Sequence, residues 1–306
     1  MKFVTFEKQD GTIRAGWLLD DKHAVDMYEA SDGSLPKNLI DFLDSSDQNL
    51  KIASSLPVSK KGVYPLSEIQ LKAPLTNPKS FRDFYAFEQH VKTARENRGL
   101  KMIPEWYQMP VFYFSNHLAI KGPREEIVMP PDCDWLDYEL EVACIIGKEG
   151  RNISAVEADE YIFGYCVLND WSARNLQRKE MKVGLGPAKG KDFSTSIGPW
   201  IITKDEVEPF RAGKGFDLTM RAHVNGVKLS EGNLKDLYFS FGEMIERASA
   251  GVTLYPGEII GSGTVGTGCI LELGTDVHRW LAPGDKVELE VNLLGVLENI
   301  IIEEKR

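Results

Sequence analysis

Cysteine is scarce in this 306-residue chain: Cys133, Cys144, Cys166 and Cys269 are the only four, and no two form a Cys-x-x-Cys pair. That excludes a disulfide framework, and at least two of the thiols lie in apolar strand-like runs, which points to reduced core residues in a reducing compartment. Basic charge is also short. With 36 Lys+Arg against 46 Asp+Glu the net charge is −10, so neither nucleic acid nor an anionic membrane is expected as the main partner. No apolar run reaches the length of a membrane span, and residues 1–8 read as a short strand rather than a signal peptide, so a cytoplasmic enzyme acting on a small molecule is expected. Gly-x-Ser-x-Gly, His-Glu-x-x-His and Gly-Lys-Ser/Thr are all missing, which removes support for serine-hydrolase, zincin and P-loop chemistry.

What is present divides at two prolines. Residues 3–28 read as short strands broken at Asp10-Gly11 and Asp20-Asp21, residues 36–56 as two helical patterns with Leu39, Ile40 and Leu43 on one face, and residues 69–74 as a strand. Pro74 and Pro78 mark the expected junction between a small N-terminal domain, 1–74, and a larger catalytic domain, 75–306. Beyond it, Phe84, Phe87, Val91 and Ala94 predict an amphipathic helix over 83–98 with Gly99 as its stop. Strands are expected at 111–114, 142–146, 162–168, 200–202, 218–224, 258–260, 270–273 and 287–291, with one more long helix over 237–249. Many strands and few helices argue for a β-rich α+β fold.

Glu139 and Glu141 stand one residue apart in Asp137-Tyr138-Glu139-Leu140-Glu141-Val142. Strand periodicity sends both carboxylates to one face and Leu140 and Val142 to the other. Such a pair either lines an exposed edge strand or shares a hard divalent cation, which would relieve the repulsion. Asp170 adds a third acid where the run Val167-Leu168-Asn169 turns polar; alone it could equally cap the helix after it. Asp83 and His90 fall seven residues apart, so a continuous helix would present an acid and a base on one face. Glu272 interrupts the apolar run around Cys269, either as surface alternation or as the carboxylate that orients a histidine. Gly261-Ser262-Gly263-Thr264-Val265-Gly266 satisfies Gly-x-Gly-x-x-Gly, yet the residues after Gly266 read as strand, so a tight loop approaching a ligand or metal is expected rather than a dinucleotide site.

Taken in order, Asp83-Phe84-Tyr85 with His90, Asp137-Tyr138-Glu139-Leu140-Glu141, Asn169 to Gln177, Gly190-Lys191, Gly261 to Thr264 and Leu271-Glu272-Leu273 resemble the fumarylacetoacetate hydrolase family, from about Leu75 to the C-terminus. The resemblance implies that family's mixed β-sandwich roll, a homodimer, and a divalent ion held by Asp83, Glu139, Glu141 and Asp170, with Mg2+ first and Mn2+ or Ca2+ as substitutes. It implies His90 as general base and Glu272 as its orienting partner. Tyr85, Tyr113, Gln177, Lys191 and Thr264 match substrate-facing positions, with Gln177 and Lys191 also placed to stabilise charge in the reaction. Lys191 and Thr195 lie near a second, structural cation position. An arginine for the substrate carboxylate is expected at the end of the first long helix, where Arg95 and Arg98 compete and spacing favours Arg98. Met181 replaces an expected tyrosine, and one extra residue lies between Gln177 and Lys191; both changes fall in the loop that meets the distal part of the substrate.

The activity expected from this resemblance is hydrolytic cleavage of a carbon–carbon bond in a β-diketo acid of fumarylacetoacetate or acylpyruvate type, as in aromatic amino acid catabolism. The His90–Glu272 pair would activate water against a metal-chelated carbonyl. The competing reading is an isomerase, tautomerase, decarboxylase or dehydratase that works on a 2-oxo acid such as oxaloacetate through a metal-bound enolate. A non-catalytic, metal-stabilised binding protein is the remaining alternative.

Overall fold

The computed structural model describes residues 1–57 and 60–304. Its centre is the strand Leu140–Ile146, buried along its whole length because it packs on both faces. It pairs antiparallel with Ile162–Asp170 on one side, Glu141 opposite Leu168, and with Ile259–Gly261 on the other, Ala143 opposite Gly261. Beyond Ile259–Gly261 comes Phe81–Phe84, parallel, and then the edge strand Phe112–Phe114. In the opposite direction Ile162–Asp170 pairs with Thr195–Thr203, which accepts the N-terminal strand Lys2–Lys8 through Lys2–Ile202 and Phe3–Ile201. Ile13–Leu18, His23–Asp26 and Val63–Pro65 extend that end, and the whole is a twelve-stranded sheet. The strands of residues 1–74 thus belong to the same sheet as the rest, and Pro74 and Pro78 lie in the passage between Ile69–Lys72 and Phe81–Phe84.

Alternation along the central strand builds two cores. Leu140, Val142, Cys144 and Ile146 join Tyr165, Val167, Met220, Ala222, Leu289 and Leu297, so a five-stranded sheet containing Thr219–Val224, Lys286–Val291 and Gly295–Ile302 covers that face. Ala143 and Ile145 point the other way and join Phe81, Cys166, Leu168, Phe3 and Phe42, under the helices Leu39–Leu43 and Ser46–Ser55. All four cysteines are free and buried. The molecule is therefore a mixed, sheet-rich α+β fold, as its strand content predicts.

Three elements differ from their sequence patterns. The helix expected over 83–98 begins at Glu88 and ends at Glu96, because Phe84 fills the core from a strand and Phe87 from the turn before the helix. Asp83 therefore lies on a strand, not one helical face with His90. Gly99 does close the helix, with a backbone φ of +70°. The strand expected at 270–273 is a single helical turn, Ile270–Leu273. The second long helix runs only from Phe241 to Ser249, started by a capping box between Ser240 and Glu243.

Candidate active site and metal centre

Four acids meet on one face of the large sheet, at the ends of neighbouring strands. Glu139 and Glu141 share the face of Ala143, Asp170 that of Leu168 and Cys166, and Asp83 that of Phe81; each of these apolar neighbours belongs to the same core. The carboxylates thus stand where that core runs out. Carboxylate oxygens of Asp83, Glu139 and Glu141 all lie within 4.8 Å of one another. Between Asp83 and Glu141 runs Gly261, and a Cβ there would sit 2.3 Å from Asp83 Oδ1, so only glycine lets the two acids approach across it. Past it, the Gly263 amide and the Thr264 hydroxyl donate to Glu141 at 3.1 and 3.3 Å. The glycine-rich segment is a loop against the acids, and its last glycine opens no helix.

Asp170 joins through Lys191. The lysine ammonium donates to Asp170 Oδ2 at 2.5 Å and also bonds Glu139, while the Tyr113 hydroxyl bonds Asp170. Burial and the neighbouring carboxylates push Asp83 and Glu141 well above the usual carboxylate range, and burial raises Asp170 although Lys191 opposes it. Burial acts upward on Glu139 too, but Arg174 and Lys191 outweigh it and hold that carboxylate ionised. Oδ1 of Asp83 and Oδ1 of Asp170 are buried without a hydrogen-bond partner among the described residues. Buried oxygen donors with two orphaned atoms fit a hard divalent cation, which would supply the missing positive charge.

Beside the acids stands a histidine–carboxylate pair. His90, on Glu88–Glu96, places Nδ1 2.7 Å from Glu272 Oε2, and both residues are buried. The Thr267 amide holds the other Glu272 oxygen at 3.1 Å. A carboxylate accepts, so this bond is one in which Nδ1–H donates, and Nε2 is the ring nitrogen turned away from Glu272. The Tyr85 ring meets the imidazole edge-on at 5.3 Å, and burial pushes its hydroxyl up to about 12. Both arginines at the end of that helix bond backbone carbonyls, Arg98 Nε that of Ala94 at 2.8 Å and Arg95 Nε that of Lys101 at 2.6 Å. Gln177 accepts from Arg174 at 3.1 Å, and Gly190 packs on its backbone. Thr195 is buried opposite Asp170 on the next strand. Met181, expected in a loop, is the last residue of the helix Arg174–Met181; it is exposed, as are Val183 and Leu185 in the loop that follows.

Arg174 and Asp137 had no role assigned from the residue pattern. The buried Arg174 guanidinium bonds Asp137 at 2.9 Å and Glu139 at 2.8 Å. The sequence shows only an arginine four residues past Asp170; its burial, and so its need for acid partners, is seen in the structure.

Residues 79–302 match the family described as fumarylacetoacetate (FAA) hydrolase C-terminal. The chain belongs to the fumarylacetoacetate hydrolase family. Within that family it is 31% identical over 286 residues to oxaloacetate tautomerase FAHD2A, mitochondrial, of Homo sapiens, covering 89% of this chain and 82% of the relative. It is 30% identical over 324 residues to oxaloacetate tautomerase YisK of Bacillus subtilis (strain 168), covering 98% and 100%. Among solved structures, 5-carboxymethyl-2-hydroxymuconate delta-isomerase from Mycobacterium smegmatis superposes with a TM-score of 0.71 at 25% identity, over 99% of this chain and all, 100%, of that one. Fumarylacetoacetate hydrolase from Exiguobacterium antarcticum superposes with a TM-score of 0.78 at 24% identity, over 99% and 100%, and shares the fold. Two of these relatives are named tautomerases and the structure at 25% identity an isomerase, which supports enolate chemistry on a 2-oxo acid better than carbon–carbon hydrolysis. Among the described residues no helix is long and apolar enough to cross a membrane.

Proposed function

We propose that this protein is a divalent-cation-dependent tautomerase or isomerase of small 2-oxo acids, with oxaloacetate as the first substrate to test. The observation that carries the reading is the buried His90–Glu272 pair beside a carboxylate cluster, at 2.7 Å between Nδ1 and Oε2. The names of the two oxaloacetate tautomerases support the choice of substrate. Asp83, Glu139, Glu141 and Asp170 would hold the divalent cation, which when bound would supply Lewis-acid polarisation of the 2-oxo group and compensate the buried acids. In the enol-to-keto direction His90 Nε2 takes the enol O–H proton, Glu272 steadies the resulting imidazolium, and the same nitrogen delivers that proton to the adjacent carbon as the 2-oxo group forms; the keto-to-enol direction runs the two transfers in reverse. General-base help of this kind is worth about 10² to 10⁴ in rate. Lys191 and Gln177 stabilise charge that develops on oxygen, and Arg98 binds a substrate carboxylate. Tyr85, Tyr113 and Thr264, which lie against His90, Asp170 and Glu141, face the substrate.

Carbon–carbon hydrolysis of an acylpyruvate is the second reading, because the same base can deprotonate water. The two are separated by following oxaloacetate enol-to-keto conversion by ultraviolet absorbance, and an acylpyruvate and fumarylacetoacetate by product analysis, each with Mg2+, with Mn2+ and with chelator. Cation-dependent tautomerisation with no acid released from a diketo acid is the expected result. Release of a carboxylic acid from the diketo substrates without any effect on oxaloacetate would overturn it.

A further inference from the structure

Glu272 can orient His90 only if its own backbone is held, and its element is weak. Ile270–Leu273 has four residues, and the residue before it, Cys269, makes no side-chain cap. A helix of one turn does not hold itself in water. Asp137, fully buried and more than a hundred residues away in the chain, provides what is missing. Its Oδ1 accepts the Ile270 amide at 2.8 Å, and its Oδ2 accepts the Leu271 amide at 3.0 Å. The same Oδ2 accepts Arg174 Nε at 2.9 Å, and Arg174 in turn bonds Glu139 and Gln177. One carboxylate therefore sits between the turn that carries Glu272 and the arginine that grips a cation-site acid.

We infer that Asp137 is a positioning residue that sets the His90–Glu272 pair in register with the carboxylate cluster. It makes no contact with substrate. Without it, two amides at the start of the turn and Arg174 Nε lose their acceptor; Asn97 still holds the Leu271 and Glu272 carbonyls at 3.1 and 3.4 Å and Thr267 the Glu272 carboxylate, so Glu272 shifts against Nδ1 rather than being released, while the acids stay where the sheet puts them. The inference rests on the reading of His90 and Glu272 as the base pair.

The test is Asp137→Asn, an isosteric change that keeps one acceptor oxygen and removes the charge. The first readout is the downfield proton resonance of His90 Nδ1–H, assigned by its loss in His90→Ala. It is expected to shift or broaden in Asp137→Asn, and an unchanged resonance overturns the inference. The second is kinetic: kcat is expected to fall by about 10- to 100-fold with KM within about threefold, the range usual for residues that orient a ligand's partner. The third is a cycle with Glu272→Gln, in which Asp137→Asn is expected to add little; a full multiplicative loss would mean a general structural role and overturn the inference. If Asp137→Asn does not fold, the wild-type protein decides. Its Ile270 and Leu271 amides are expected to be protected from exchange by about 10³ or more despite the short turn, and protection below about 10 overturns the inference. Should His90→Ala keep full turnover while the resonance still responds to Asp137→Asn, the base assignment fails and the positioning role stands.

Discussion

Gly261→Ala is the sharpest probe of the carboxylate cluster. An alanine Cβ would lie 2.3 Å from Asp83 Oδ1, and real Cβ contacts essentially never fall below 3.0 Å, so the carboxylate must retreat by at least 3.0 − 2.3 = 0.7 Å. The atom in the way is the end of a side chain, while the next contacts, Asp83 Cγ and Phe81 Cε2 at 3.2 Å, are tight but tolerable. The fold therefore loses only about 1 kcal/mol, the low end of overpacking costs. Cation coordination is far less forgiving, since functional sites keep ligand distances within about 0.2 Å and Mg2+ demands near-ideal geometry. Losing one carboxylate ligand should weaken Mn2+ binding by about 10- to 100-fold, or roughly 1.4 to 2.8 kcal/mol. Electron paramagnetic resonance titration of free Mn2+ measures this directly, with thermal unfolding as the check on the fold. Affinity within twofold of wild type, in a folded Gly261→Ala protein, would refute the assignment of Asp83 to the cation.

Further consequences concern the base, the cation and acid stability. Glu272→Gln replaces a pure acceptor by an amide that can present either a donor or an acceptor to Nδ1, so kcat should drop by about 10² to 10⁴ while Mn2+ affinity stays unchanged; a parallel loss of Mn2+ binding would place Glu272 in the cation site instead. Removing the cation with chelator should lower stability by about 2.7 kcal/mol relative to protein held at a hundredfold excess over Kd, seen as a fall of several degrees in Tm; an identical Tm argues against a buried cation. Asp285 is held down at about 2 because hydrogen bonds from Arg279, Asn225 and the Ala282 amide outweigh the upward push of burial. Its folded pKa lies below its unfolded value of 3.8, so its stabilisation is full above about pH 4 and is lost as pH falls toward 2. Since Arg279 is 59% exposed, about 1 kcal/mol is expected, and Asp285→Asn should flatten that part of the acid-unfolding curve.

Strand chemistry was the most legible part of this chain. Period-two alternation placed Glu139 and Glu141 on one face without any knowledge of the fold, and Asp170 stood out where an apolar strand turned polar. Asp83 was also singled out, but for a mistaken local reason. Phe84, Phe87, Val91 and Ala94 happen to fall at helical spacing although the first two reach the core from a strand and a turn. Local periodicity cannot tell these cases apart, because Phe81–Phe84 is a strand only by virtue of its partners Ile259–Gly261 and Phe112–Phe114. The same limit hid the Ile270–Leu273 turn, whose Ile-Leu-Glu-Leu pattern suits a strand and whose cap comes from Asp137. The joining of Lys2–Lys8 to Thr195–Thr203 is likewise non-local, so nothing in the sequence around Pro74 tells that the strands of residues 1–74 extend the sheet of the rest.

Those failures share a physical cause that bears on the chemistry. The acids come from strand ends, whose positions are set by the sheet and are insensitive to any single side chain. The proposed base pair comes from one helix and one short turn, which are tied to that sheet through side chains, Val91 and Ile270 in the core and the Asp137 carboxylate on the Ile270 and Leu271 amides. Reaction type should therefore be tuned more easily on the helical side than on the sheet side. A platform that holds a 2-oxo acid by buried carboxylates serves tautomerisation and hydrolysis alike. Choosing between them depends on whether His90 Nε2 faces the substrate's own carbon–hydrogen bond or a water beside its carbonyl. A shift of about 1 Å is enough to change that, on the scale at which misplacement is known to cost about 10²-fold. The turn held by Asp137 carries Glu272, the side chain that sets which way that ring nitrogen faces.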